Sequence, residues 1–178
     1  MPTPGPDDIA RKRAAVATLY ETHYERVVRY VHVRIGDHAE AEDLASEVFT
    51  RALRAADTFE ETGAPMEAWI FKMAHNIVVD HFRKKGRRPA AVPLEDAGSV
   101  ASDDDPAAAA LREQDYVQLR KAMQNLTEAQ RQVLSLRFGG GLKSEEAARV
   151  MGKKPGAVRE MQHAAVLKLK RILEEQQG

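Results

Sequence analysis

The stretch Thr127–Leu173 constrains this chain most, because its punctuation leaves room for little except a helix-turn-helix. Thr127 with Gln130 forms a capping box, so a helix is expected to start there and run through Val133, Leu134 and Leu136 to Phe138. Gly139, Gly140 and Gly141 end it. Ser144 can cap a second helix, with Glu145 and Glu146 in its first turn and Ala147, Ala148, Val150 and Met151 at helical spacing. Gly152 closes that helix, and Pro155 stands where a first helical residue belongs. A third helix then carries Val158, Met161, Ala165, Leu169 and Ile172 on one face. Lys153, Lys154 and Arg159 flank the turn before it. Short helices arranged in this way place a helix N-terminus in the major groove of DNA.

The charge distribution supports the same partner. Lys+Arg and Asp+Glu each number 27, so the net charge is zero, but the charges are segregated. Arg83, Lys84, Lys85, Arg87 and Arg88 form a basic block without an acid between His81 and Arg88. From Ala90 to Asp115 seven acids stand against Arg112 alone. From Lys143 to Arg171 eight basic residues outnumber Glu145, Glu146 and Glu160. Two basic blocks around an acidic one cancel in the total but not in space. The absence of cysteine excludes disulfides, thiolate metal sites and sulfur redox chemistry. No apolar run approaches membrane-spanning length and Met1–Asp8 lacks a signal-peptide pattern, so no membrane insertion and a cytoplasmic location are expected.

The rest of the chain reads as all-α: two small helical domains joined by a flexible acidic linker. Residues 1–9, with Pro2, Pro4, Gly5 and Pro6, read as a disordered lead. The first domain spans 10–89. Val16, Leu19, Tyr20, Tyr24, Val27, Val28, Val31 and Ile35 follow helical spacing until Gly36 interrupts it. Asp37 can cap a second helix with the stripe Ala41, Leu44, Ala45, Val48, Phe49, Ala52 and Leu53. Asp57–Pro65 reads as a loop, and a third helix from Met66 holds Trp69, Ile70, Met73, Ile77, Val78 and Phe82. Residues 90–105 lack periodicity and form the linker, which fully extended spans roughly 50 Å. The second domain, 106–178, opens on Asp105-Pro106, a cap followed by a first-turn proline, and holds four helices.

Three groups of residues can carry function. Glu40, Asp43 and Glu47 share one face of the second helix beside Leu44 and Val48, which suits a solvated face, a metal site or a docking surface for a basic partner. No histidine pair at metal-binding spacing accompanies them. Trp69, Lys72, His75, Asn76, Asp80, Arg83 and Lys84 give the third helix an aromatic, amide and basic character suited to unpaired DNA, where rings stack on bases and cations neutralise phosphates. Trp69 and Phe71 also fit a plain core role, which for Trp69 is the favoured reading of the residues alone. In the second domain, Arg159 suits guanine and Gln162 adenine, with Glu160 and His163 beside them off the apolar stripe. No nucleophile–base set or glycine-rich phosphate loop is present, so the chain is expected to be no enzyme and to need no cofactor.

With both halves in view, the chain resembles a bacterial RNA polymerase sigma factor of the extracytoplasmic-function (ECF) group. Ala41-Glu42-Asp43-Leu44-Ala45-Ser46-Glu47-Val48-Phe49 is similar to the region 2 helix that docks on the polymerase clamp. Ala68–Asn76, followed by Asp80 and Arg83, is similar to the helix that melts and reads the −10 element. Leu126–Arg131 and Gly156-Ala157-Val158-Arg159 match region 4, which reads the −35 element. The resemblance implies core RNA polymerase and promoter DNA as partners. It makes Glu40, Asp43, Leu44, Glu47 and Val48 polymerase-binding and Trp69–Lys84 a −10 surface. Ser144, Lys153, Lys154, Ala157, Arg159, Glu160, Gln162 and His163 become a −35 surface. It also makes Asp57–Pro65 a wall for a flipped non-template base. Met161, Ala164 and Val166 stand where the family often has Arg or Lys, Lys143-Ser144 replaces a common Ser-aromatic pair, and Gly139–Gly141 lengthens the turn. With the chain ending at Gly178, regulation is expected from synthesis, turnover or a separate anti-sigma partner. The competing reading is a dimeric DNA-binding regulator with a ligand-sensing N-terminal domain; a helical enzyme has only scattered carboxylates behind it.

Overall fold

The computed structural model describes residues 3–86 and 105–178, and among them every regular element is a helix. Helix α1 spans Pro6–Ile35, α2 His38–Arg54 and α3 Met66–Lys84. Then come α4 Pro106–Met123, α5 Glu128–Leu134, α6 Ser144–Met151 and α7 Pro155–Gln177. The segment expected to be a linker lies outside the described residues except for Asp105, as do Arg87 and Arg88 of the basic block.

The local signals explain most boundaries. Gly36 ends α1 in the left-handed region at φ 86°, and the Asp37 carboxylate then accepts from the Glu40 N–H at 2.9 Å to cap α2. Thr127 and Gln130 exchange both capping-box hydrogen bonds, at 3.2 and 3.1 Å. Gly152 at φ 64° ends α6, and Pro155 opens α7. Two starts differ from expectation. Helix α1 begins at Pro6, so residues 6–9 of the expected disordered lead are helical; Pro6 supplies a pre-set φ, and Asp7 and Asp8 complement the helix dipole. Helix α6 is capped from Lys143 rather than Ser144, because the Glu146 carboxylate reaches back to accept from the Lys143 N–H at 2.8 Å.

Helices α1–α3 bundle around Val27, Val28, Val31, Val48, Phe49, Ile70, Phe71 and Val78, all buried. Tyr20 and Leu53, placed by periodicity on apolar stripes, are instead exposed at 47% and 45%. Helices α4–α7 close on Val133, Leu136, Leu142, Ala147, Val158 and Ala165. A single π-helical turn, Ser135–Gly139, extends α5 toward the glycine turn.

The two blocks lie against each other, and their buried residues form one cluster. The glycine turn lies against α1 and α3, and α6 packs on α3. Arg26 donates to the carbonyls of Gly140 at 2.7 Å and Gly141 at 3.1 Å, and Arg29 donates to Gly139 at 3.4 Å. Arg34, 4% exposed, pairs with Glu128, and the Arg120 guanidinium donates back to the Gly36 carbonyl at 3.1 Å.

Candidate nucleic-acid and polymerase interfaces

The helix-turn-helix presents most of its predicted readers to solvent. Lys153, Lys154, Ala157, Arg159, Glu160 and His163 are exposed around the first turns of α7, and Ser144 is half-buried at the start of α6. Arg159 lies 3.7 Å from the Glu145 carboxylate, with both side chains about 60% exposed (59% and 62%), a loose pair that leaves the guanidinium available to a base edge. Gln162 is placed otherwise. Its amide oxygen accepts from Arg137 Nε at 2.8 Å, and Arg137 also donates to the Leu142 carbonyl. Half of a bidentate amide is therefore committed to bracing the glycine turn against α7. Arg137 escaped the sequence reading because its partner is 25 residues away and no local pattern marks it.

On α3, Trp69, Lys72, Asn76, Asp80 and Arg83 recur at three- and four-residue spacing and so share a face. Lys72, Asn76, Arg83 and Lys84 are exposed, and Asp80 lies 3.4 Å from Arg83. Trp69 is half-buried, its ring 5.3 Å from that of Phe59, which anchors the Asp57–Pro65 loop beneath it. Phe71 is fully buried and belongs to the core. His75 is not brought together with the others. It is half-buried on the side facing α5, where burial and the nearby Arg34 pull its imidazole below the usual range, and Glu128 opposes them.

On α2, Asp43 is exposed and Glu47 pairs with Arg51 one turn on. Glu40 turns toward α3, where its carboxylate accepts from Lys85 Nζ at 2.8 and 3.1 Å and lies 3.5 Å from His81 Nδ1. Leu44 is half-buried, whereas Val48 is fully buried and can only support the face from beneath.

Residues 19–88 match Sigma-70 region 2 and residues 122–171 match Sigma-70, region 4. The chain is 38% identical over 137 residues to the ECF RNA polymerase sigma factor ShbA of Streptomyces griseus subsp. griseus, covering 75% of this chain and 72% of that one. It is 32% identical over 167 residues to the ECF sigma factor SigD of Mycobacterium tuberculosis, covering 91% and 78%. The chain belongs to the ECF sigma factors. It is also 37% identical to the ECF sigma factor BldN of Streptomyces coelicolor, spanning 60% of that protein's length and 89% of its own.

Solved structures agree on the fold. The complex of CnrH with the cytosolic domain of CnrY superposes with a TM-score of 0.68 at 22% identity, covering 94% of this chain and 95% of the other. The sigma factor RpoE bound to the anti-sigma factor NepR from Bartonella quintana gives 0.65 at 23% identity, covering 89% and 96%. In ECF terms, α1–α3 are region 2 and α5–α7 region 4, with α4 leading into the latter. Sigma factors are specificity subunits of RNA polymerase that direct promoter recognition and initiation. Among the described residues no helix is long and apolar enough to cross a membrane.

Proposed function

We propose that this chain binds core RNA polymerase in the cytoplasm and directs it to promoters through both halves, contributing no catalytic group of its own. The observation that carries this reading is the presence in one chain of a region 2 with an exposed basic and amide face on α3 beside the half-buried Trp69 and a region 4 with Arg159 and Lys153–Lys154 at the head of α7. Asp43, Glu47 and Leu44 form the polymerase contact, with Val48 as their support. Trp69, Lys72, Asn76, Asp80, Arg83 and Lys84 engage the −10 element, with the half-buried His75 behind them. Lys153, Lys154, Ala157, Arg159, Glu160 and His163 read the −35 element, with Ser144 and Gln162 framing them.

Transcription by bacterial core polymerase on genomic DNA, with and without this protein, tests the reading. New start sites sharing two upstream sequence blocks are expected. An absence of new starts, with the free protein binding a duplex palindrome as a dimer, assigns the chain to dimeric regulators instead.

An anti-sigma factor is a further proposed partner, since both structural neighbours were captured in complexes, RpoE's with a named anti-sigma factor. Its proposed seat is the apolar groove of about 660 Å³ between α1, α4 and α7, lined by Val33, Val117, Leu119, Met123, Val166 and Leu169. Full activity in extracts of uninduced cells is the result that rejects this partner.

A further inference from the structure

Helix α2 carries the proposed polymerase contact and α3 the proposed −10 face, so a docked chain presents its DNA face correctly only if the two helices keep a fixed relation. Apolar packing settles the middle of their contact, where Leu44 and Ile77 line one groove of about 200 Å³. The end of α3 is less well held. Beyond Phe82, which is 3% exposed, the chain runs out into solvent, with Arg83, Lys84, Lys85 and Gly86 all exposed. The last carbonyls of a helix lack intrahelical partners, and helix ends with few buried contacts open readily.

One carboxylate ties that end to α2. His81 and Lys85 follow Ile77 at four-residue steps and so share the side of α3 turned to α2. There Glu40, in the first turn of α2, accepts from Lys85 Nζ through both oxygens, at 2.8 and 3.1 Å, and lies 3.5 Å from His81 Nδ1. The contact is partly withdrawn from water: the side chains of His81, Glu40 and Lys85 are 10%, 31% and 44% exposed. Arg83 differs, since it is 75% exposed and lies 3.4 Å from Asp80 on its own helix, an arrangement that leaves it open to a phosphate. Spacing alone groups Glu40 with Asp43 and Glu47, yet Asp43 is exposed, Glu47 pairs with Arg51 and Glu40 faces α3.

We propose that Glu40 is a positioning residue for promoter opening and not a polymerase contact: by holding Lys85 and His81 it fixes the last turn of α3 on α2, so that Arg83 and Lys84 meet phosphates while Trp69 and Asn76 meet bases. The inference rests on the promoter reading. Groups that must act together need placement to about half an ångström, which side chains outside the contact itself supply. Because Asp43 and Leu44 follow Glu40 by one helical turn, the same helix that docks on polymerase sets where the end of α3 stands.

The full-length protein with core polymerase, on a promoter taken from the start-site map, separates docking from opening. Core affinity is read by titrating labelled protein with polymerase, and opening by the rate at which −10 thymines become reactive to permanganate. Glu40→Ala and Lys85→Met should each leave core affinity at the wild-type value and slow opening about fivefold, the effect of losing a half-exposed ion pair. The double variant should be no slower than either single one, because both remove the same interaction. The two single variants should also share one salt dependence, whereas a lysine lost from a phosphate would lower the slope of Lys85→Met by about one relative to Glu40→Ala. Should circular dichroism show Glu40→Ala unfolded, Glu40→Gln, which keeps an acceptor for Lys85, takes its place with a smaller slowing expected. Weakened core affinity in the Glu40 variant, additive losses in the double variant, or opening at the wild-type rate in either single variant overturns the assignment. A wild-type protein that yields no new starts overturns the promoter reading and the assignment with it; new starts with unslowed variants overturn the assignment alone.

Discussion

His32 sits 4% exposed at the end of α1, its ring 5.0 Å from and nearly parallel to that of Tyr116 on α4, with the phenol oxygen 3.4 Å from Nδ1. Burial, then the neighbouring His38 and Arg120, pulls its imidazole from 6.5 down to about 4, against a smaller opposite effect of Asp37. The folded state thus resists protonation more than the unfolded chain does. Above pH 6.5 the imidazole is neutral in both states and its contribution to stability is complete. As pH falls toward 4 the unfolded chain takes up a proton that the folded one refuses, and up to about 3 kcal/mol is lost. Denaturant titrations at pH 7, 6 and 5 should show this decline, and His32→Phe, which keeps the stacking, should flatten it. An unchanged slope assigns the decline to another group. A second residue, Arg159, pairs among the described residues with the exposed Glu145, so Arg159→Ala should leave stability intact and weaken the proposed −35 recognition by about 1–3 kcal/mol, the worth of a good base contact. Promoter preference in the mapped set measures it; an unaltered preference removes Arg159 from the reading set.

At the scale of elements, what was legible in the sequence was local. The Thr127–Gln130 box, Gly152, Pro155, Gly36 and Asp37 each act within four residues, and the helices begin or end beside them. The start of α1 was missed because Pro6–Ile9 presents no apolar periodicity, only a proline and two acids that favour a first turn. The exposure of the polar residues around Pro155, proposed here as −35 readers, was legible, but the engagement of Gln162 by Arg137 and of Glu40 by Lys85 was not. Those partners are 25 and 45 residues apart, with no repeat to signal them. The corner between α1 and α2 shows how local and distant requirements meet. Gly36 needs φ 86°, and a Cβ there would fall 1.7 Å from Nη2 of Arg120, whose Nη1 donates to the Gly36 carbonyl. Gly36→Ala should therefore strain the backbone, displace a buried guanidinium and cost roughly 2–3 kcal/mol. Thermal denaturation checks it: a melting temperature equal to wild type means the corner relaxes without expelling Arg120.

For the whole molecule the decisive quantity is the junction between the halves, which no sequence pattern displayed. Arg26 and Gly140 are 114 residues apart, and each half already has a core that its own periodicity accounts for. A junction of this kind couples the stabilities of the two halves, because the buried Arg34 of α1 pairs with Glu128 of α5. Removing region 4 would uncover Tyr30 and Phe71, which lie against Gly139 and Gly140, so region 2 loses stability once region 4 unfolds. Calorimetry of the wild-type protein should then give one transition whose calorimetric and van't Hoff enthalpies agree, as for a single cooperative unit. Glu128→Lys leaves Arg34 facing a like charge and should split the transition, with region 4 melting first because α5 and α6 are short, spanning Glu128–Leu134 and Ser144–Met151. A wild-type protein that already melts in two steps shows the halves to be energetically independent.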